Sequence, residues 1–480
     1  MLGIFDALQS SSSALSVFSQ ALDVASNDVS NSSTPGYAAQ TQEIEPLAFQ
    51  PDAGIPGGVS AGEVISSRDQ YAEQGVRQQT TLLGAANQNV STLTSLQSIF
   101  TIAQGAGLPN ALSNLYSAFS AWGQSPADGN AQQTVIDDAT NVANQFQETA
   151  SQVATAAQDV ETQSSNTVDE INSLTQQLAS YNAQAADGRQ DDAGLDAQIN
   201  STLEQLSQYV DVSTVKQDDG TMAVLINGQT PLVIGSQQYQ LSYELQNPSQ
   251  PPPTNPGAPP EVRILSNGSD VTSQISGGQL GALLDLHNNV LASIRGDAYQ
   301  TGSLNTLAQQ FADNVNQTLT SGDISSGPPP VAGVPLFTYD GSDATATAGT
   351  LAVNPNVSAG QLAAIDPGPP TVSNGIPLQL AALADPQSAA DEINGASYVE
   401  YYGQIAAGIG TGLSNATDQQ QVQQSAVAQA QNIRQQISGV SLDKEAVIVT
   451  NFQRAYEATA RMINQLDQIT LDTINMLPSS

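Results

Sequence analysis

The stretch "NDVSNSSTPGYAAQ", residues 27–40, ends the first structural element of this chain and so determines how its N-terminal region is organised. It follows an amphipathic helical pattern and then supplies Pro35, Gly36 and one aromatic residue, Tyr37. Because the residue before a proline is disfavoured in the α-helical conformation, we expect the helix to end before Pro35. A Pro-Gly pair also favours a tight turn, so we predict a turn at this point.

The segment before this turn carries an apolar seam with the spacing of a coiled coil. Leu8, Leu15, Leu22 and Val29 follow one another at intervals of seven residues, and Phe18 lies on the companion line. A heptad pattern that continues over four repeats predicts an amphipathic helix with one apolar stripe to bury against a partner helix.

The last 40 residues carry a matching seam, and Ser441 at its beginning is a plausible N-cap. We assign to the apolar surface of this C-terminal helix Val449, Phe452, Tyr456, Ile463, Leu466 and Ile474. A lone amphipathic helix is marginally stable in water, because its stripe has nothing to pack against. We therefore predict that the two ends pair with each other and with copies of themselves. The alternative is that both are ordinary surface helices of a globular domain, and the pattern alone leaves it open.

The interior alternates between helical patterns and two segments of different texture. Segment 211–276 has short β-branched runs, turn signals at Asp219-Gly220 and Asn227-Gly228, and a proline-rich spacer. We predict an elongated, multidomain, mainly α-helical rod with β-rich inserts, in which the terminal helices pair in a coiled-coil-like domain. Its predicted regions are the N-terminal helix and turn, 1–45; a first helical region, 46–210; a β-rich outer insert with a proline-rich loop, 211–276; a second helical region, 277–325; a low-complexity, β-like outer insert, 326–390; a third helical region, 391–435; and the C-terminal helix, 436–480.

The composition excludes several classes of partner and site. A formal net charge of −35 repels nucleic acid and anionic membranes, so we expect neither as a partner. The absence of cysteine excludes disulfides and thiolate metal sites. No apolar window of about 18 residues occurs, so we expect no membrane insertion. The N-terminus lacks the basic and continuous apolar segments of a general secretory signal, so that route is not expected.

The sequence offers no convincing set of reactive residues. His287 is the only histidine, and a lone histidine without cysteine makes a poor metal site. Asp191, Asp192 and Asp196 lie together, but they lack the spacing of an EF-hand loop and are interpreted as solvated or helix-capping acids. We therefore expect no enzymatic activity, no catalytic residue, no cofactor and no metal.

Both ends of the chain resemble one protein family. "ALDVASNDVSNSSTPGYAAQ" at 21–40 is similar to the N-terminal signature of the bacterial flagellar rod, hook and hook-associated proteins. "GVSLDKEAVIVTNFQRAYEATARMINQLDQITLDTIN" at 439–475 is similar to the C-terminal helix of that family. The interior blocks at 111–147, 277–317 and 335–341 resemble its hook–filament junction members.

This resemblance implies an axial structural protein, located outside the cell in the flagellum at the hook–filament junction. It implies export in the unfolded state through the flagellar type III apparatus, without cleavage of a signal peptide. The partners that it implies are the hook protein, a second hook–filament junction protein, copies of itself in a ring, and a cytosolic export chaperone on the C-terminal helix.

The two seams and the resemblance together predict which residues form the assembly interface and the joint between the axial helix and the outer domains. The apolar positions of both seams, together with Pro35 and Gly36, are expected to form this interface, with Tyr37 as an anchor between the axial helix and the outer domains. We also expect residues 1–35 and 436–480 to be largely unpaired in the free monomer and to form a coiled coil on assembly.

Two alternative functions remain open from the sequence. The first, within the same class, is that the chain is a hook protein or the second junction protein. A secreted adhesin-like surface protein would also fit the Ala/Gln/Thr-rich composition, although it would not need complementary heptads at both ends.

Overall fold

The structure, a computed structural model, describes residues 2–50, 55–101, 105–189, 192–245, 261–297 and 299–475. The predicted proline-rich loop, 247–260, lies outside the described residues. The chain divides into two compact units. The terminal unit comprises Met1–Leu82, Asn172–Tyr239 and Gln423–Ser480, and the central unit comprises Leu83–Ile171 and Gln240–Val422.

Helices predominate among the described residues, which confirms the predicted mainly α class with small β-rich parts. The helices are α1 (Leu2–Ser30), α2 (Gln70–Ile99), α3 (Gly107–Gln124), α4 (Gly129–Gln184), α5 (Ala193–Tyr209), α6 (Gly278–Asp285), α7 (Ala292–Arg295), α8 (Ser303–Ser321), α9 (Thr347–Thr350), α10 (Gly375–Ala382), α11 (Tyr398–Ser438) and α12 (Leu442–Asn475). The strands are β1 (Gln40–Gln50), β2 (Ile55–Ser66), β3 (Val212–Lys216), β4 (Met222–Ile226), β5 (Thr230–Ile234), β6 (Gln237–Gln238), β7 (Leu241–Leu245), β8 (Val262–Ser266), β9 (Ser269–Asp270), β10 (Asp323–Ser325), β11 (Val331–Ala332), β12 (Phe337–Thr338) and β13 (Ala352–Val353).

A long antiparallel hairpin, β1–β2, follows the first turn in the terminal unit. Its register runs from Gln40↔Ser66 to Gln50↔Ile55. The sequence analysis assigned 46–210 to a helical region, and the structure corrects its beginning, where β1 continues to Gln50 and β2 spans Ile55–Ser66. The physical reason lies in β2, where Gly57 and Gly58 have φ of 72° and 121°, conformations that an α-helix does not contain.

The terminal unit also contains a four-stranded sheet in the order β3-β4-β5-β6. The turn between β4 and β5 uses Asn227 and Gly228 with φ of 47° and 69°, as the Asn-Gly signal predicts. The buried amide of Asn182 on α4 accepts a hydrogen bond from Met222 N and donates to Met222 O and Gly235 O. Both polar ends of this side chain are therefore satisfied, and α4 is fixed to the sheet.

The predicted single insert, 211–276, is in fact two separate sheets. Strands β3–β6 belong to the terminal unit, whereas β7–β9 form a three-stranded sheet in the central unit. The division falls between Tyr239 and Gln240, where β6 ends and β7 begins. Continuous β-branched composition identifies strands, but it does not reveal which strands pair.

The central unit has a large apolar core built from helices. Trp122 on α3 is fully buried, as are Phe146 on α4 and Phe311 on α8. Phe311 contacts Phe337 and Tyr398 at ring-centroid distances of 5.4 and 5.5 Å. Region 326–390 is more mixed than predicted, because its short strands β11–β13 are accompanied by α9 and α10, and α10 packs on α3 and α8.

Candidate functional site

The two terminal helices pack against each other in an antiparallel arrangement. The rings of Phe18 and Phe452 lie 6.1 Å apart between centroids. Seven residues earlier on α1, Ser11 Oγ donates a hydrogen bond to Met462 Sδ at 3.6 Å. Between these two contacts the residue number rises from 11 to 18 on α1 and falls from 462 to 452 on α12, so the helices run in opposite directions. The expectation that these ends are largely unpaired in a free monomer is not met, because a single chain already pairs them.

Helix α1 is covered on two sides, by α12 and by the β1–β2 hairpin. Its buried residues are Ser11, Val17, Ala21, Ala25 and Asp28. Ser11 and Ala25 lie on the companion line of the predicted heptad, seven residues on either side of Phe18, whereas the other three lie off both lines. The predicted interface residues Leu8, Leu15, Phe18 and Leu22 are half-buried, and Val29 is exposed. Half-buried apolar side chains leave surface that a further helix would cover.

Helix α12 leaves much of its apolar surface open. Val449, Phe452, Ile463 and Leu466 are half-buried on the side that includes the α1 contact. The predicted interface residues Tyr456 and Ile474 are exposed. The other large apolar side chains exposed on this helix are Leu442, Val447, Met462, Ile469 and Leu471. This amount of open apolar surface on one helix is typical of a surface that binds another protein.

The predicted turn is present at Thr34–Tyr37. The carbonyl of Thr34 accepts a hydrogen bond from Tyr37 N at 3.2 Å, with exposed Pro35 and half-buried Gly36 between them. Gly36 has a φ of 74°, so the turn has the Pro-Gly signature of type II. A Cβ at Gly36 would lie 2.7 Å from the carbonyl oxygen of Ala197, so this position also requires glycine for space.

Tyr37 is fixed by a buried carboxylate at the end of α1. Its hydroxyl donates to Asp28 Oδ1 at 2.7 Å, and Gln40 N donates to Asp28 Oδ2 at 2.8 Å. Burial raises the pKa of Asp28, although both hydrogen bonds oppose that shift. Burial also raises the pKa of Glu445 in the first turn of α12, and the neighbouring charge of Asp28 adds to the effect. Two carboxylates with raised pKa values thus meet at the joint between α1 and α12.

A network of ion pairs lies under the turn, and the sequence analysis did not identify it. Arg68 donates from Nη2 to the Gly36 carbonyl at 2.6 Å and from Nε to Asp196 on α5 at 2.6 Å. Its Nη1 pairs with the buried Glu73 on α2. Arg434 on α11 pairs with Glu73 at 3.2 Å and, through the same nitrogen, with Glu204 on α5 at 2.6 Å. The one signal available in the sequence was that arginine is scarce. The chain has only eight arginines, and two of them meet here.

The end of α11 closes the joint from the other side. Ser438 is buried, its carbonyl accepts from Ala39 N at 2.9 Å, and its Oγ accepts from Asp69 N at 3.0 Å. Ser441 Oγ then accepts from Lys444 N, which confirms the predicted cap of α12. The structure thus brings the predicted turn residues together with both terminal helices, at the joint where β1, α2 and α11 also meet.

The described residues offer little reactive chemistry. They contain no cluster of three His, Asp or Glu side chains arranged to hold a metal ion. His287 is buried and shares a hydrogen bond with Glu161 at 3.0 Å. Asp192 caps α5 and pairs with Arg189, and Asp196 pairs with Arg68, whereas Asp191 lies outside the described residues. Among the described helices, none combines the length and apolar character needed to cross a membrane.

Three family models match parts of this chain. The flagellar hook-associated protein FlgK helical domain matches residues 93–337, more than half of the chain. The flagella basal body rod protein model matches residues 8–37, which contain most of α1 and the turn. The C-terminal model of the flagellar basal body rod FlgEFG proteins matches residues 434–476, which contain α12.

Whole-chain comparisons point to the same group. The chain is 23% identical to flagellar hook-associated protein 1 of Bacillus subtilis over 99% of both proteins. It is 24% identical to flagellar hook-associated protein 1 of Escherichia coli K12, over 97% of this chain and 98% of the relative. The solved flagellar hook junction protein FlgK from Burkholderia pseudomallei matches in fold, with a TM-score of 0.60 at 18% identity, over 76% of this chain and all of that one. The chain therefore belongs to the FlgK family of flagellar hook-associated proteins.

Proposed function

We propose that this chain is a structural subunit of the bacterial flagellum that forms the junction ring between hook and filament. The observation that carries this proposal is the match of the FlgK helical domain in the interior together with rod-protein matches at both ends. The rod-protein matches coincide with α1 and α12, the two helices that pack together and still expose apolar surface. The role is architectural and needs no catalytic residue.

Assembly proceeds by covering the open surface of the α1–α12 pair. The half-buried residues of α1 and the exposed apolar residues of α12 lose their remaining water contact when helices of neighbouring copies pack on them. Complete burial of one large apolar side chain contributes about 1.5–3 kcal/mol, so a few such residues stabilise each contact substantially. The terminal helices therefore hold the ring together.

The remaining partners follow from the position in the flagellum. The hook protein lies on one side of the ring and a second hook–filament junction protein lies on the other. The subunit reaches this place outside the cell through the flagellar type III apparatus, without cleavage of a signal peptide. A cytosolic chaperone covers the apolar surface of α12 before export, because that surface would otherwise favour aggregation.

The experiment places charges in the helix pair. In a flagellated strain that lacks its own junction protein and is complemented by this chain, Leu22→Asp with Ile463→Asp should abolish filaments. The matched control is Ser12→Asp with Asn464→Asp, which adds the same charge at exposed positions of the same helices. The fluorescence of Trp122, the only tryptophan, reports whether the central unit remains folded. Normal filament growth with the Leu22/Ile463 variant would contradict the proposal.

A further inference from the structure

Helix α11 carries four glycines close together near its start. Residues 403–412 read GQIAAGIGTG, and we name them the glycine segment. Its glycines all lie inside the helix and in the central unit, and they are Gly403, Gly408, Gly410 and Gly412. By contrast, the longer helix α4 contains no glycine after its first residue, Gly129. Only proline is less favourable than glycine in a helix interior, because glycine has the most conformational freedom to lose.

Packing does not require glycine at these four positions. A Cβ added at Gly403 or Gly408 would meet nothing within 4 Å. At Gly410 and Gly412 the nearest atoms would lie 3.7 and 3.6 Å from the added Cβ, which is ordinary van der Waals contact. The φ angles of all four are negative, as in any right-handed helix. Alanine would therefore fit at each position without strain.

Two other helical glycines of the same unit show what a packing requirement looks like. On α6, a Cβ at Gly281 would lie 2.7 Å from the carbonyl carbon of Ser276, a distance too short for two carbon atoms. On α3, a Cβ at Gly123 would lie 3.1 Å from Leu378 Cδ2, so this side chain would have to move. The glycines of α11 have no such neighbour, and they weaken the helix without a compensating close approach.

The glycine segment lies between two anchored parts of α11. Before it, Tyr402 is buried, and its ring lies 5.6 Å from that of Phe100 between centroids. After it, Gln420 Nε2 donates a hydrogen bond to Asn87 Oδ1 at 2.8 Å. The weakness of the helix is therefore confined to the turns between these two anchors.

The segment itself has little to hold it in place. Ile409 is its one buried side chain, in a stretch that the structure describes throughout, and Ile405 is half-buried. No residue between Tyr401 and Thr417 is charged, so ion pairs between successive turns do not support the helix there. Parts of a fold with little buried apolar surface open locally at a lower free energy than the core. Each glycine favours such opening about fourfold relative to alanine.

We propose that the glycine segment is the first part of the central unit to open, and that this opening starts the unfolding that export through the type III apparatus requires. The large apolar core of this unit would otherwise have to unfold as one block, which is slow. The segment follows directly on Tyr398 and Tyr402, which are buried in that core, so its opening loosens the core beside it. This inference rests on the proposed function, because the need to unfold comes from the proposed export route.

Amide hydrogen exchange of the purified chain tests the opening. The protection factors of the glycine segment should be at least about tenfold lower than those of residues 142–153 on α4, which line the same core. What we call the α11 variant carries Gly403→Ala, Gly408→Ala, Gly410→Ala and Gly412→Ala. It should raise the protection of the segment at least about fourfold and also raise the melting temperature, which shows that it folds. Equal protection of the segment and of α4 in the unmodified chain would overturn the proposal.

Export of the same variant tests the consequence of the opening. In the complemented strain, the share of the chain found in the medium and the flagella together should fall at least about fourfold for the α11 variant, the effect expected of a single substitution. The control is Gly75→Ala on α2, which adds a methyl group in open space outside the segment and should leave export unchanged.

The possible results separate this proposal from the proposed function. If the α11 variant is stabilised and is exported as well as the unmodified chain, the glycines are merely tolerated and the proposal is wrong. If the unmodified chain is itself retained in the cell, the result contradicts the proposed function instead.

Discussion

Arg68 Nη2 donates a hydrogen bond to the carbonyl oxygen of Gly36 at 2.6 Å, joining the segment that precedes α2 to the turn that ends the N-terminal segment. The other guanidinium nitrogens of Arg68 bind Glu73 and Asp196, so one side chain connects the turn with α2 and α5. The chain has only ten lysine and arginine residues. The use of one of them to connect three segments makes the joint a defined structural element.

Replacing Arg68 should therefore destabilise the terminal unit. Arg68→Ala leaves Glu73, whose side chain is 4% exposed, with Arg434 as its remaining cation. Removing one partner of a buried pair costs about 3–5 kcal/mol, and the second arginine should keep the loss near 3 kcal/mol. Urea unfolding, monitored by circular dichroism, measures this loss in the free energy of unfolding. Arg461→Ala is the control, because its pair with Glu457 is exposed and its loss should change stability by less than about 1 kcal/mol.

Gly36→Ala should cost about 1–3 kcal/mol, because alanine is strained at a φ of 74° and its Cβ would meet the Ala197 carbonyl. The matched control is Gly75→Ala on α2 in the same unit, where a Cβ meets nothing within 4 Å. That control should gain about 0.5–1 kcal/mol, since alanine favours a helix interior over glycine. Equal stability of the two variants would contradict the account of the turn.

The joint between α1 and α12 should weaken as pH rises. The pKa values of Asp28 and Glu445 are raised in the folded chain, so the folded state binds these protons more tightly than the unfolded chain does. The associated stability is present at acidic pH and is lost as pH rises through the raised pKa values. Glu445→Gln removes one of the two carboxylates and should raise the melting temperature more at neutral pH, where carboxylates are ionised, than at an acidic pH near their ordinary pKa values. An identical shift at both values would argue against the carboxylate pair.

Pairing of the terminal helices within one chain is testable in solution. Ser11→Cys with Met462→Cys places two thiols where the side chains already touch, with Ser11 Oγ and Met462 Sδ 3.6 Å apart. Mild oxidation of the dilute monomer should give an intramolecular disulfide, seen as faster migration on a non-reducing gel. Ser12→Cys with Met462→Cys is the control, because Ser12 is exposed. If both pairs remain reduced, the ends are unpaired in the free chain.

Local patterns in the sequence predicted the terminal helices, their turn and the long interior helices. The heptads mark α1 and α12, and Pro35-Gly36 marks the turn, because each feature depends on residues close together in the chain. The hairpin β1–β2 was missed since it has no simple alternation, and it displaces the buried face of α1 towards Val17 and Ala21.

The parts of the joint that depend on distant residues were not predictable in this way. Arg68 and Glu73 are close in the chain, but Glu73 meets Arg434 and Arg68 meets Asp196 only through tertiary packing. Asp28 looked like one more polar residue near a helix end, yet it is fully buried because β1 and α12 cover it. Such contacts follow from tertiary structure, which single-sequence patterns do not specify.

The most direct test of the central claim is the position of the chain in an intact flagellum. Ser326 is exposed in the central unit, and Ser326→Cys would give the chain its only thiol for labelling with maleimide-coated gold. Electron microscopy of flagella from the complemented strain should show one narrow band of gold between hook and filament. Gold along the whole hook, along the filament, or spread over the cell surface would contradict a junction subunit and would favour a hook protein, a filament component or an adhesin-like protein, respectively.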